Sequence, residues 1–161
     1  MFLYTPEYTA NEVLAKHWSD MRLPVSPVVI ARRAGVDVRA GDPRELEGAS
    51  GWYRLAHSRP LILFNGSESP TRQRFTIAHE LGHHFLEHGE RKRDTPSEFS
   101  ASTFDFVEAA ANRFAADLLM PATAVTWLVE NKGYVSIEAL AREFLVSEVA
   151  MRYRLKNLRL I

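Results

Sequence analysis

There is no cysteine anywhere in the 161 residues. That excludes disulfides and thiolate metal sites, so a transition metal would have to be held by histidine and carboxylate. It also fits a reducing, cytoplasmic setting, which is the expected localisation. Excess charge of either sign is missing too: Lys+Arg and Asp+Glu both number 20, so no bulk basic field suggests nucleic-acid binding. No stretch approaches the roughly 20 apolar residues that cross a bilayer, and Met1 to Glu7 is not a basic segment leading into an apolar run. Neither a membrane span nor a secretion signal is expected. Internal repeats and low-complexity segments are absent as well. What remains is ordinary globular material, 46% hydrophobic and 25% charged, long enough to bury about 70% of its unfolded surface. One domain over residues 1–161 is the expectation, with 134–161 forming a helical tail.

Thr5-Pro6, Ser26-Pro27 and Ser69-Pro70 each pair a capping side chain with proline at the first helical position. The first should open a helix running to about Ser19, the second a short helix closed by Gly35, the third a long helix stopping at Gly89. Val36-Asp37-Val38 reads as a strand and residues 41–49 as a polar loop. Gly51 to Ala56 and Leu61 to Phe64, joined by His57-Ser58-Arg59-Pro60, read as a hairpin. Arg91 to Ser102 is polar and reads as an exposed, mobile loop. Thr103 should cap a helix from Phe104 to Met120, ended by Pro121. Further helices are expected near 122–132, 136–144 and 147–157. The predicted class is α+β: a small three-stranded antiparallel or mixed sheet packed on a helical core, with a mostly helical C-terminal half.

The long helix carries the chemistry. His79, Glu80 and His83 spell H-E-x-x-H, and residues four apart on a helix share a face. Two imidazoles so placed can ligate one metal ion. Glu80, about 100° round the helix from His79, takes the place of a base acting on water. Phe75, Ala78, Gly82, Phe85 and Leu86 cover one side and Ile77 and Leu81 another, which marks a buried central helix. His84 and His88 form a second i, i+4 pair, for which packing or a solvated rim is the better reading.

A catalytic zinc needs a third protein ligand. The candidates are Asp105, Glu108, Asp117, His88 and Glu98. Glu108 borders the apolar stripe of its helix and could be aimed at the metal, with Asn112 at i+4 able to accept the outer N–H of a ligand histidine. Asp105, three residues earlier, is its main rival; Asp117 faces away.

His79-Glu80-Leu81-Gly82-His83, followed by Glu108-Ala109-Ala110-Ala111-Asn112-Arg113-Phe114-Ala115-Ala116-Asp117-Leu118-Leu119-Met120-Pro121, resembles the ImmA/IrrE-type metallopeptidases. Pro24 to Ala31 and Gly51-Trp52-Tyr53 fit the same pattern, so the resemblance covers about Leu23 to Leu158. It implies a zincin-like fold, with His79, His83 and Glu108 as metal ligands, Glu80 as catalytic base and Asn112 supporting a ligand. It further implies Zn2+ (with Mn2+ as the alternative) and a substrate such as a helix-turn-helix repressor or antitoxin. The rival reading is a protein that keeps zinc but recognises such a partner without cutting it. Tyr53, His57 and Arg113 are unranked candidates for an oxyanion donor. A hairpin strand, 51–56 or 61–64, could pair with an extended substrate.

Residues 136–157 resemble a helix-turn-helix unit, with Arg142, Arg152, Arg154, Lys156 and Arg159 supplying local positive charge. Leu145 stands in the turn where glycine is expected, and the charge is modest. A structural or repressor-docking role is therefore favoured over direct nucleic-acid binding, which would have to use this tail.

Overall fold

The computed structural model describes residues 9–87, 91 and 92, 105–133 and 136–161. Helix α1 (Ala10–His17) is capped by Thr9, whose hydroxyl accepts from the Glu12 amide at 3.3 Å. The expected cap at Thr5 lies outside the described residues. Ser26 caps α2 (Pro27–Arg33), and Gly35 follows at φ +79, as the sequence pattern predicts.

The chain then builds a mixed sheet in the order β1-β3-β2-β4. Strand β1 (Asp37–Ala40) runs parallel to β3 (Arg59–Phe64), which pairs antiparallel with β2 (Gly51–Ala56). The hairpin turn is only His57 and Ser58, both with positive φ (51° and 65°), the geometry that matches strand twist; Arg59 and Pro60 therefore belong to β3. A two-residue strand, β4 (Arg91–Lys92), pairs with β2 opposite Tyr53 and Trp52. So the core of three strands is mixed, and these two residues add an edge where a loop was expected.

The stretch expected as a polar loop contains a one-turn helix, α3 (Pro43–Leu46). Its cause is local. Asp42 accepts from the Arg44 amide at 2.7 Å, while the Glu45 carboxylate accepts from the Asp42 amide at 3.2 Å, closing a capping box. The turn drives Leu46 against Leu61 and Leu63 on the outer sheet face. The inner face, carrying Gly51, Tyr53, Ile62 and Phe64, packs on the central helix α4 (Pro70–Phe85), capped by Ser69. Thr76 to His83 are all buried. The helix ends before Gly89 because Glu87 turns left-handed at φ 57.

Helix α5 (Phe106–Leu119) crosses α4, burying Ala111, Phe114, Ala115, Leu118 and Leu119. Its cap is Asp105 rather than Thr103, which lies outside the described residues. Three helices complete the chain: α6 (Ala122–Asn131), α7 (Ile137–Phe144, capped by Ser136) and α8 (Glu148–Asn157, capped by Ser147). Between α7 and α8, Leu145 does adopt the left-handed conformation (φ 50, ψ 50) that glycine would take more easily. Arg74 of α4 braces this turn: it donates to the carbonyls of Leu145 (3.1 Å), Phe144 (3.3 Å) and Val25 (2.7 Å). Arg154 is not a surface charge of the tail. It is buried, donating to the Met120 carbonyl at 2.8 Å and to Asp117 at 2.7 Å. No described helix is long and apolar enough to cross a membrane.

Candidate metal centre

The site is assembled where α4 and α5 cross. Gly82, inside the histidine motif, sits against α5: a Cβ there would lie 3.1 Å from Ala111 Cα, 3.2 Å from its carbonyl oxygen and 3.3 Å from Phe114 Cβ. The bare glycine lets the helices approach closely enough for side chains of α5 to reach those of α4. Glu108 and Asn112, one turn apart, both face His79 in consequence.

His79 Nε2 lies 2.8 Å from Glu108 Oε2, His83 Nε2 lies 3.1 Å from Glu108 Oε1, and the two Nε2 atoms are 3.1 Å apart. The imidazole rings stand nearly perpendicular, at 84°. Both histidines are essentially inaccessible, while the Glu108 side chain keeps 16% exposure and leaves the cluster a route to solvent. His79 Nδ1 is 2.8 Å from the side-chain oxygen of Asn112. That oxygen can only accept, so Nδ1 carries the proton, and in the neutral ring the Nε2 lone pair points at Glu108.

This donor set fits a divalent cation. Two imidazole nitrogens and a carboxylate crowd their lone pairs together, an arrangement that repels unless a proton or cation lies among them. Tetrahedral zinc with bonds of about 2.0–2.1 Å holds its ligand atoms about 3.3 Å apart; here they stand at 2.8–3.1 Å. Among the described residues, His79, His83 and Glu108 form the group that could hold a metal ion. Burial disfavours charge on Glu108, but whenever His79 or His83 is protonated at Nε2 it donates to the carboxylate, and these hydrogen bonds and charges outweigh burial and hold the carboxyl well below its usual range.

Glu80 is fully buried, with its carboxylate against the start of β2. Its Oε1 would be 3.0 Å from a Cβ at Gly51, so the lack of a side chain at the start of β2 makes room for the carboxylate. The rival ligand Asp105 is occupied as the cap of α5, accepting from the Val107 amide at 2.9 Å. Asp117 faces away and holds Arg154. His88 and Glu98 lie outside the described residues. Of the three oxyanion candidates, Tyr53 is buried with its hydroxyl 2.9 Å from His84 Nδ1, whereas His57 is exposed at the hairpin tip and Arg113 is exposed on α5. Burial also lowers the His84 pKa, partly offset by Glu87.

Strand β3 cannot receive a substrate strand, because β1 and β2 occupy both its edges. The free edge of β2 is covered at Trp52 and Tyr53 by β4. Sequence reasoning overlooked Gly82, Gly51 and Arg74. The two glycines carried a readable signal, since an isolated glycine within a helical or strand pattern marks a close approach of backbone.

A peptidase family model described as the IrrE N-terminal-like domain matches residues 31–156. The chain is also 34% identical over 99 residues to the radiation response metalloprotease IrrE of Deinococcus deserti. That alignment takes in 59% of this chain and 35% of the relative, so the chain spans about a third of the relative's length.

Proposed function

We propose, since the chain belongs to the IrrE N-terminal-like domain family of peptidases, that it is a zinc-dependent endopeptidase acting on a helix-turn-helix repressor or antitoxin. The observation that carries this reading is the convergence of His79, His83 and Glu108, from two helices, beside a buried Glu80.

His79, His83 and Glu108 would hold the ion, and two imidazoles with one carboxylate suit zinc ahead of manganese. The bound cation supplies a Lewis acid that polarises a peptide carbonyl and makes water at the site more acidic. Glu80 takes a proton from the attacking water and delivers it to the leaving amine as the C–N bond breaks. Its burial against β2 keeps bulk solvent from competing for that proton and restricts its rotamers. Asn112 fixes the His79 tautomer, so that Nε2 and not Nδ1 offers the lone pair.

The test mixes the purified chain with helix-turn-helix repressors of its own genome, with and without zinc, comparing wild type with Glu80→Gln. Cleavage is expected from the zinc-loaded wild type alone. Glu80→Gln should bind zinc stoichiometrically and lose on the order of 10²-fold or more in rate. Wild-type cleavage by that variant would refute the assignment of the base.

A further inference from the structure

The geometry points to Thr76 as a positioning residue for Glu80, acting through a water held between the Thr76 hydroxyl and the Glu80 carboxylate. This deepens, and rests on, the peptidase reading.

Thr76 precedes Glu80 by four residues on α4, so the two stand on one face, one turn apart. Both are completely buried. Both meet β2 at the same point, for a Cβ on Gly51 would collide with Thr76 Cγ2 and press on Glu80 Oε1. The strand thus closes over the pair. Within this enclosure the Thr76 hydroxyl has no hydrogen-bond partner among the described residues. It does not even make the bond to the carbonyl one turn back that helical threonines commonly use.

Packing alone does not explain a threonine here. Valine has the same shape, fills the same space and leaves no buried hydroxyl to desolvate. Buried hydroxyls without protein partners are commonly served by an ordered water that also bridges to a second polar group. One turn along this face, that group is Glu80. The Thr76 hydroxyl donates to the water, and the water donates to one carboxylate oxygen. This turns the other oxygen toward the cluster of His79, His83 and Glu108. A base held in one orientation loses no rate to rotamer search, and small misplacements of such groups are costly.

Three measurements on the full chain test this. In a high-resolution crystal structure, a water should lie within hydrogen-bond distance of both Thr76 Oγ1 and Glu80. Thr76→Val should lose that water, keep its zinc content and unfold at a temperature no lower than wild type. Against a helix-turn-helix repressor that the wild type cuts, Thr76→Val should lose roughly tenfold or more in kcat with KM unchanged, and Thr76→Ser should recover most of the loss. Wild-type kcat in Thr76→Val overturns the inference. So does equal impairment in Thr76→Ser, which would assign the effect to the methyl group, or a crystal structure in which Thr76 bonds a protein atom instead. The crystallographic and unfolding measurements require no substrate. A wild-type chain that cuts nothing would therefore refute the peptidase reading, while the presence or absence of the bridging water still decides this one.

Discussion

Replacing Gly82 by alanine separates the closeness of the α4–α5 crossing from every residue that touches a ligand. An ideal Cβ would stand 3.1 Å from Ala111 Cα and 3.2 Å from the Ala111 carbonyl oxygen. Carbon atoms in contact prefer about 3.5–4.0 Å, and the obstructing atoms are backbone, which cannot swing aside. The helices must part by a few tenths of an ångström. Metal sites tolerate displacements of about 0.2 Å, so Glu108 would fall short of His79 and His83. Zinc affinity should drop about ten- to a hundredfold, the scale seen when ligand support is lost. Stability responds less, because two effects oppose each other. Alanine is favoured over glycine in a helix by about 1 kcal/mol, and overpacking costs about 1–3 kcal/mol. The net loss is then about 0–2 kcal/mol. The assay is competition for zinc against a chromophoric chelator, with thermal unfolding in excess chelator to read stability separately. Gly66→Ala is the control, since its Cβ meets only Ala40 Cβ at an ordinary 3.4 Å. A folded Gly82→Ala protein binding zinc within twofold of wild type would refute the argument that this glycine sets the ligand geometry.

Asn112→Ala removes the acceptor of His79 Nδ1, and should weaken zinc binding about tenfold or more in the same competition assay; unchanged affinity would mean the tautomer is fixed by something else. Arg154→Met strips the donors from the Met120 carbonyl and from Asp117. It should destabilise the fold by about 2–4 kcal/mol, tempered because Asp117 is partly solvated, as read by urea unfolding. Burial first, then Lys16 and Arg33, lower the His17 pKa from 6.5. Above about pH 6.5 neither folded nor unfolded chain protonates this ring, while below it the unfolded chain takes up the proton more readily. Stability should therefore fall as pH drops from 7.5 to 5.5, and His17→Gln should flatten that decline in denaturant titrations; an identical slope would show that other groups govern it.

Reading the sequence went furthest where the information was local. Ser26 and Ser69 each cap the helix expected of them, since a cap needs only an amide two or three residues away. Spacing alone put His79 and His83 on one face, because the helical repeat fixes it. Where two local signals competed, the reading slipped. Asp105, weighed only as a metal ligand, caps α5, and the Asp42–Glu45 capping box lies within a stretch whose polarity reads as loop.

Questions that spanned distant stretches of chain were of another kind. Whether Glu108 or Asp105 would meet the histidines depended on which side chain was spent capping α5 and on how closely that helix could lie against Gly82. Whether β3 was an edge depended on β1 returning parallel beside it. That Arg154 would be buried against Asp117, 37 residues earlier, depended on where the tail docks. The residues alone determined most of the elements and the pairing of the two imidazoles, all set by forces acting over a turn or two of chain. The tertiary structure decided the third member of the cluster, the place of Glu80 beneath Gly51 and the fate of the tail's charge, because close packing between elements depends on shapes that no single segment contains.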